Sequence, residues 1–470
     1  MFNPSFFAQF IVPFIVNMAE FIVPFHVAED CAGLGTGYLA LQRSARRIGR
    51  ARMSAKRRGK YNCKLRLKLK YTSESNARLR TFLQSKYKRH RGNGRDKSRL
   101  GYTSGTKTVI AEDCATGSHD GGDKYLGTDG QVDLYMTGSQ CQPFSKMGKN
   151  GGRADERSDT MRDTVSFIMK RKPKTFIMEQ VPNIKSKPHN KFWAKILDKL
   201  RSIKTKKTKN LYKLHTKTLN SQAFGVPQIR KRLYVVGVRR DIGKAFSKFH
   251  MPKIGKHGHT AKLKTLLRKA SSATQVKDSE LNNTELRNWR AVQQKLQSHQ
   301  LELPAIADFH MSKSVGCSVQ SKASPTVTKT RAKGQAFWII DKGPGQSFVK
   351  RRLDATDYAA LQGWDADAQK KYLKIGRNKL LTDSELREAL GNGFNLAVFE
   401  AILNKLLQCH LDATEAIHAG RRATQKEEES DEESDPGKKV GPRARGRPRS
   451  MIGMPPAVGP CKVGPRRKVP

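Results

Sequence analysis

Short apolar runs alternate with longer helix-like stretches from Phe21 to about residue 242 of this 470-residue chain. Short apolar runs are typical of buried strands, and their alternation with helical patterns is typical of a doubly wound α/β sheet. The pattern therefore predicts an α/β core over residues 21–242. The predicted strands are Val23–Val27, Leu67–Tyr71, Val132–Met136, Thr175–Met178 and Leu233–Val238.

The pattern changes beyond residue 242. Residues 243–324 are polar and basic with poor periodicity, which indicates a smaller recognition region, whereas strand and helix patterns return at Ala336–Ile340 and Asp354–Trp364. After Asp412 the chain is too poor in apolar residues to fold alone, and it carries the acidic block Glu427–Asp435. The predicted division is an apolar N-terminal extension (1–20), the α/β core with basic insertions (21–242), the recognition region (243–324), a return to the core (325–411) and a disordered acidic-then-basic tail (412–470).

The charge balance narrows the class of partner. The chain has 91 Lys and Arg against 41 Asp and Glu, a formal excess of 50 positive charges, and the basic residues cluster. Such an excess favours a polyanion, and nucleic acid is the obvious one. Two basic runs, Arg43–Lys70 and Lys199–Lys217, are interpreted as insertions that form a phosphate-facing rim, with a solvated surface as the alternative.

The seven cysteines are an odd number without a Cys-x-x-Cys pair, which argues against a disulfide framework and a cysteine zinc site. We therefore expect an intracellular, reduced protein without a bound metal. The chain has no apolar run of membrane-spanning length, and residues 1–27 lack the basic start of a secretory signal. We expect neither a membrane partner nor secretion.

Cys141 lies in a tight polar loop, Ser139–Ser145, directly after the predicted strand Val132–Met136. A cysteine at the carboxyl end of a strand lies in the crevice of an open sheet, where it is well placed to act as a nucleophile. The alternative is an inert core thiol, the usual state of a reduced cysteine. The choice depends on which other groups share the crevice.

A glycine-rich loop, Glu29–Gly37, follows the first predicted strand and precedes a predicted helix start at Tyr38. Its glycines let the backbone approach a ligand at the positive end of a helix, as in nucleotide, flavin and S-adenosylmethionine sites. A tight strand-to-helix turn is the alternative. Glu74, at the end of the second strand, suits a ribose diol.

Two further groups end strands near the same crevice. Glu179 follows the strand Thr175–Met178, and alternation along an extended segment places Gln228, Arg230 and Arg232 on one face. A surface acid and a solvated strand edge are the respective alternatives. Each signal is moderate when it is taken alone.

Taken together, the motifs resemble the C5-cytosine DNA methyltransferases over roughly residues 21–408. That family implies a Rossmann-like catalytic domain, a smaller target-recognition domain and a C-terminal Gly-Asn motif that completes the large domain. The motifs stand in the family's order. They are Ala32–Gly35, Ser73–Asn76, Cys141–Ser145, Glu179–Val181, Asn220–Arg232, Leu361–Gly363 and Gly391–Asn392.

The resemblance also implies the chemistry. Cys141 matches the nucleophile that adds to C6 of cytosine in DNA, and the base must be flipped out of a duplex to reach it. Glu179 matches the acid that binds N3 and the exocyclic amine, and Arg232, supported by Arg230 and Gln228, matches the group that holds O2. The methyl donor is S-adenosylmethionine, and its implied contacts are Cys31, Ala32, Gly33, Gly35, Gly37, Glu74 and Asn392, with Asp113 as partner for the adenine amine.

Three positions depart from the family pattern. Gln140 stands where the family has a proline that stiffens the loop, Cys31 where an aromatic residue packs on the cofactor, and Gln180 where an Asn follows the catalytic Glu. These departures keep a second function open, a DNA-binding regulator with a degenerate pocket. A third, lower-ranked function is RNA cytosine methylation on the same fold.

The tail contributes one short motif, Arg445–Arg449, which resembles an AT-hook. Its three arginines, Arg445, Arg447 and Arg449, are predicted to enter the narrow minor groove of A·T-rich DNA, with a generic basic tail as the alternative. Because the motif follows an acidic, serine-bearing block, we expect a nuclear eukaryotic protein.

Overall fold

A central sheet of seven strands organises the described part of the chain, in the order β3-β2-β1-β4-β5-β7-β6. The computed structural model describes residues 21–56, 63–87, 109–111, 132–145, 152–253, 262–267, 275–299, 301–332, 337–345 and 347–433. The strands are β1 Phe21–Asp30, β2 Cys63–Ser73, β3 Val109–Ala111, β4 Leu134–Thr137, β5 Thr175–Gln180, β6 Tyr212–Asn220 and β7 Lys231–Arg239.

Strand direction gives this sheet two different edges. β1 to β5 are parallel to one another, whereas β7 is antiparallel to both β5 and β6. The carboxyl ends of β1, β2, β4 and β5 therefore meet at one edge, which we call the carboxyl edge, and their first residues define the amino edge. The predicted doubly wound α/β core is confirmed.

Helices connect the strands and cover both faces of the sheet. Fully buried apolar residues such as Val27, Leu41 and Leu403 lie on one face, and Phe176, Ile184 and Leu200 lie on the other. The helices are α1 Thr36–Lys56, α2 Ala77–Tyr87, α3 Asp159–Arg171, α4 Lys187–Arg201, α5 Lys244–Ser247, α6 Leu263–Leu266, α7 Asn283–His299, α8 Lys329–Ala332, α9 Ala355–Leu361, α10 Ala366–Ala368, α11 Asp383–Asn392 and α12 Leu396–Glu433.

All five predicted strands are confirmed, as β1, β2, β4, β5 and β7, but the description of the basic runs as insertions is wrong. Residues 43–70 include the second half of α1 and most of β2, and residues 199–217 include the end of α4 and the first half of β6. In β2 the sequence Lys64–Lys70 alternates charged and apolar residues, which is the pattern of a strand with one buried face. In both runs the many charged residues obscured the helix and strand patterns, so the sequence analysis interpreted the runs as insertions.

A smaller antiparallel sheet has the order β11-β10-β8-β9. Its strands are β8 Ala305–Asp308, β9 Ser318–Gln320, β10 Trp338–Lys342 and β11 Phe348–Arg352. With α7 they enclose a separate apolar cluster around the buried side chains of Trp289, Phe309 and Trp338. The smaller region therefore extends to Arg352, and the predicted boundary at residue 324 is wrong because β10 and β11 pair with the smaller sheet.

The chain divides into two compact units, residues 1–417 and 418–470. Of the second unit the structure describes residues 418–433, which are helical. The predicted start of a disordered tail at residue 412 is wrong, because α12 continues to Glu433 through residues with high helix propensity. Before the first unit ends, Asp412 and Glu415 also form ion pairs with Arg52 of α1.

Two of the predicted regions lie outside the described residues. They are the N-terminal extension 1–20 and the segment from residue 434 onward, which contains the AT-hook-like motif. Among the helices that the structure describes, none is both long and apolar enough to cross a lipid bilayer.

Candidate active site

A cleft of about 340 Å³ opens at the carboxyl edge of the larger sheet. Polar and charged side chains dominate its wall. The lining residues are Cys31, Gly33, Glu74, Ser75, Asn76, Arg78, Leu79, Gly138, Ser139, Gln140, Cys141, Gln142, Glu179, Arg230, Arg232, Lys329, Leu381, Glu385, Glu388, Ala389, Gly391, Asn392 and Gly393.

The cleft brings together two groups that the sequence predicted separately. From the predicted catalytic group come Cys141, Glu179, Arg230 and Arg232, and from the predicted cofactor group come Cys31, Gly33, Glu74 and Asn392. Gln228, Ala32, Gly35 and Gly37 are not among the lining residues. Asp113 lies outside the described residues, so its predicted contact stays a prediction.

The loop after β1 has the backbone geometry that close ligand approach requires. Cys31 and Gly33 both have left-handed φ values, 52° and 55°, and a Cβ built on Gly33 would meet nothing within 4 Å. The Gly33 amide donates to Glu74 Oε2 at 2.8 Å, and the Ala32 amide donates to the Ser73 carbonyl at 2.9 Å. The loop is therefore tied to the end of β2 while its surface toward the cleft stays open.

Positions 35 and 37 require glycine because a larger residue would clash with neighbouring side chains, and not because they line the cleft. A Cβ on Gly35, which has φ 70°, would lie 2.3 Å from the Tyr87 hydroxyl, and a Cβ on Gly37 would lie 2.4 Å from Glu29 Oε1. That same carboxyl oxygen accepts the Gly37 amide at 3.0 Å at the start of α1. Complete burial raises the pKa of Glu29 to about 8 despite its backbone hydrogen bonds.

Cys141 precedes a single 3-10 turn, Gln142–Phe144, whose last amide donates to the Cys141 carbonyl at 3.0 Å. Pro143 and Phe144 are buried and anchor this turn. Burial raises the pKa of the Cys141 thiol, Arg232 and Arg230 lower it, and Glu179 raises it. Burial is the largest influence and raises the pKa overall, and the neighbouring charges modify that shift.

Glu179 and Arg232 form an ion pair on the adjacent antiparallel strands β5 and β7. Glu179 is paired in register with Tyr234, and its Oε1 lies 3.0 Å from Arg232 Nε. Burial raises the pKa of Glu179, while Arg232 and Arg230 oppose that shift. A buried carboxyl with a raised pKa can hold a proton and donate it to a bound group.

Arg230 and Gln228 form hydrogen bonds that hold segments distant in sequence against the start of the strand that carries Arg232. Arg230 donates to the Gly391 carbonyl at 3.2 Å and to the Gly393 carbonyl at 2.7 Å, and Gln228 Nε2 donates to the Leu361 carbonyl at 2.5 Å. Gln228 is fully buried. The motif therefore supplies one side chain, Arg232, that faces Glu179, and two that hold the C-terminal motifs in place.

One contact was not predicted from the sequence. Gln180 is buried, and its Nε2 lies 3.4 Å from the carbonyl of Ser139, 3.3 Å from the Ser139 hydroxyl and 3.4 Å from the carbonyl of Gln140. The Gln180 Oε1 accepts the Val181 amide at 2.9 Å. The glutamine side chain thus bridges from β5 to the two residues before Cys141, and the paired departures at 140 and 180 were the available signal.

The family of the chain follows from a comparison with protein-family models. The model described as C-5 cytosine-specific DNA methylase matches residues 106–408. The chain belongs to this family. Its members use S-adenosylmethionine as methyl donor and methylate cytosine at C5.

Relatives of the C-5 cytosine methylase family cover different shares of the chain. Type II methyltransferase M.HaeII of Haemophilus aegyptius is 26% identical over 286 residues, which cover 61% of this chain and 77% of that protein. M.BsuFI of Bacillus subtilis is 33% identical over 121 residues, which cover 26% of this chain and 27% of that protein. The second match therefore spans little more than a quarter of the relative's length.

A solved structure agrees with the fold. A mutant of Spodoptera frugiperda DNMT2 matches with a TM-score of 0.50 and 15% identity, covering 82% of this chain and 99% of that chain. At this identity the likeness concerns the Rossmann-like fold alone. The predicted fold class is confirmed.

The residues of the cleft fit S-adenosylmethionine. The carboxylate of Glu74 has one bond to the Gly33 amide and one, at 2.9 Å, to the Asn76 amide, which leaves lone pairs for ribose hydroxyls. The open space beside Gly33 admits a ligand against the backbone, and Asn392 is exposed at the cleft. When bound, this cofactor supplies an electrophilic methyl group.

Proposed function

We propose that this protein methylates C5 of cytosine in double-stranded DNA through a covalent bond between Cys141 Sγ and C6 of a flipped-out base. The observation that carries the proposal is the single cleft in which Cys141, Glu179 and Arg232 face the cofactor residues Gly33 and Glu74. A nucleophile, a buried acid and a guanidinium within one cleft form a constellation suited to addition across an electron-poor ring.

Cys141 performs the addition. Its thiolate forms the Sγ–C6 bond, the C5–C6 electron pair moves to C5, and N3 takes a proton. After C5 has gained a methyl group, it loses its hydrogen as a proton to solvent, the electron pair returns, the Sγ–C6 bond breaks to release the thiolate, and N3 returns its proton to Glu179. Burial raises the pKa of the thiol overall, and the positive charges of Arg232 and Arg230 oppose that rise and so support the attacking form.

Glu179 supplies the proton at N3. Its burial raises the pKa of the carboxyl, which favours the protonated form that a proton donor needs. Arg232, 3.0 Å from the Glu179 carboxyl, lies where its remaining N–H groups can donate to O2 of the base. Proton donation and O2 binding together make C6 electrophilic.

Double-stranded DNA is the proposed substrate because the matching family model is that of a DNA methylase and the chain carries a formal excess of 50 positive charges. The reacting atoms of cytosine are hidden in a duplex, so the target base must leave the stack. Nuclear location and minor-groove contacts of Arg445, Arg447 and Arg449 are further proposals, which rest on the tail sequence.

The test is transfer of labelled methyl from S-adenosylmethionine to unmethylated duplex DNA, with transfer RNA as a parallel substrate. We expect label on C5 of DNA cytosine with the wild type and none with Cys141→Ser. Label found on RNA and not on DNA would mean that the substrate is RNA. Label on DNA with Cys141→Ser would mean that Cys141 is not the nucleophile.

A second candidate is a DNA-bound regulator, favoured by Gln140 and Cys31 at positions where the family has a proline and an aromatic residue. The same experiment separates the two functions. Equal duplex binding by wild type and Cys141→Ser, with cofactor binding but no methylation by either, would support the regulator.

A further inference from the structure

Three connections at the amino edge of the larger sheet form a second basic surface, away from the cleft. They are residues 170–174 from the end of α3 to β5, residues 198–210 from the last turn of α4 to β6, and residues 239–248 from the last residue of β7 through α5. We call this the amino-edge surface. The sequence analysis interpreted the run Lys199–Lys217 as part of a phosphate-facing rim, and most of its lysines lie in the second of these connections.

Strand register fixes the surface at the edge opposite the active site. Thr175 pairs with Val238, and Tyr212 pairs with Arg239, so the start of β5, the start of β6 and the end of β7 are level. Glu179 lies at the other end of β5. At about 3.3 Å per residue, β5 separates the two edges by roughly 17 Å along the strand.

Hydrogen bonds join the three connections into one surface. The Arg239 amide donates to the Lys174 carbonyl at 3.1 Å, and the Arg240 amide donates to the Leu211 carbonyl at 2.9 Å. Side chains add to this, since Arg239 Nη1 donates to the Lys172 carbonyl at 3.0 Å and Arg240 Nε donates to the Asn210 carbonyl at 3.1 Å. The charges are therefore carried by connected backbone rather than by independent loops.

The turn between α4 and β6 presents its lysines outward. Thr205 Oγ1 accepts the amides of Lys207 at 3.3 Å and Thr208 at 3.0 Å, which defines the turn. Lys204, Lys206 and Lys207 are all exposed. Within the described residues, none of these three lysines forms an ion pair.

The charge of this surface is almost entirely of one sign. Its three connections contain fourteen Lys and Arg and two Asp, and both aspartates already pair locally, Asp198 with Arg201 and Asp241 with Arg239. Lys174 also pairs with Asp133, which precedes β4. Exposed like charges at this density repel one another and attract counter-ions, which a phosphate backbone releases when it binds.

We propose that the amino-edge surface binds the phosphate backbone of a second segment of double-stranded DNA, separate from the segment in the cleft. Charge complementarity and exposed lysines account for affinity without base selectivity, and the Thr205 turn positions Lys204, Lys206 and Lys207 for phosphate contacts. The inference does not depend on the chemistry of Cys141.

The test uses the full chain and a fluorescent duplex without cytosine targets, and it measures the dissociation constant over a salt series. The variant Lys204→Glu, Lys206→Glu, Lys207→Glu is expected to bind more weakly, with a slope of log affinity against log salt smaller by about 3, near 0.9 for each lost phosphate contact. The variant with Arg at the same three positions is expected to retain the wild-type slope.

A second triple variant gives a matched change of charge elsewhere. Lys370→Glu, Arg377→Glu, Lys379→Glu reverses three exposed cations outside the amino edge and the cleft lining. We expect it to keep the wild-type slope. The proposal is overturned if the amino-edge variant keeps that slope too, if both Glu variants lose affinity equally, or if the loss occurs with duplex RNA and not with DNA.

Discussion

The carboxyl and amino edges of the same sheet carry charge in opposite ways. The cleft at the carboxyl edge is lined by four cations and four carboxylates, and Glu179 with Arg232 and Glu388 with Lys329 are examples of their pairing. The amino-edge surface has fourteen cations and two carboxylates and is largely exposed. Balanced charge around the buried Glu179 and Cys141 modifies the ionisation of reacting groups, whereas unbalanced, exposed charge attracts a polyanion.

Removing the nucleophile is the largest change to the carboxyl edge. Cys141→Ser is expected to lower single-turnover methyl transfer by at least about 10³-fold, because serine at this site lacks a base to activate it. Duplex binding should remain, since the amino edge and the rest of the cleft are intact. Cys317→Ser, at a buried cysteine whose Sγ contacts the Asp308 carbonyl at 3.2 Å, is the matched control and should retain transfer.

Replacing the acid Glu179 is expected to have the second-largest effect. Glu179→Gln removes the proton donor while keeping the size of the side chain, and it is expected to slow transfer by about 10² to 10⁴-fold. The measurement is the single-turnover rate over a pH series. Ionisation of Cys141 favours transfer at higher pH and protonation of Glu179 favours it at lower pH, so Glu179→Gln should lose the fall in rate at high pH. A mutant with the full wild-type rate would exclude Glu179 as donor.

Gln180 and Gln140 are expected to depend on each other. Gln180→Asn shortens the side chain that reaches the Ser139 and Gln140 carbonyls, so kcat should fall by roughly tenfold while the KM for duplex changes little. In a Gln140→Pro background, where the ring stiffens the loop, the same change should cost much less. A double-mutant cycle measures the coupling, and additive effects would show that Gln180 does not position the loop.

A smaller effect is expected on the pH at which the Cys141 thiol ionises. Two substitutions should shift that pH in opposite directions. Arg232 lowers the pKa of the thiol and Glu179 raises it. Arg232→Ala should therefore shift the midpoint of Cys141 alkylation to higher pH, and Glu179→Gln should shift it to lower pH. Iodoacetamide labelling of the Cys141 peptide, read by mass spectrometry, measures both, and shifts in the same direction would contradict the arrangement.

The sequence predicted which residues meet at the carboxyl edge better than it predicted the division of the chain into regions. Cys141, Glu179 and Glu74 each follow a short apolar strand, and parallel strands bring their carboxyl ends to one edge, so a shared cleft followed from local patterns. The β6 strand was missed because lysines alternate along it, and β10 and β11 were assigned to the larger domain because pairing partners are not encoded locally.

Other parts of the site could not be read from motif order. Gln228 belongs to the same motif as Arg232, yet it is fully buried and donates to the Leu361 carbonyl. The motif therefore contains a reacting residue and a positioning residue, and only the path of the backbone shows which is which. Arg78, Glu385 and Lys329 reach the cleft from α2, α11 and α8, which are distant in sequence. Only tertiary structure brings them together.

The smallest effect is expected when the amino edge is tested with a substrate too short to reach it. On a 12-base-pair duplex bound in the cleft, the variant Lys204→Glu, Lys206→Glu, Lys207→Glu should transfer methyl within about twofold of wild type, because screened charges at this distance act weakly on the reaction. On long DNA its apparent KM should rise. An equal loss on both substrates would mean that the two edges do not act separately.

The central claim is that Cys141 bonds to the target base, and covalent trapping tests it most directly. A duplex containing 5-fluoro-2′-deoxycytidine, incubated with the protein and S-adenosylmethionine, blocks release because C5 carries fluorine in place of hydrogen. We predict a denaturation-resistant adduct that mass spectrometry locates at Cys141. An adduct at another cysteine, or no adduct from protein that binds both duplex and cofactor, would contradict the account.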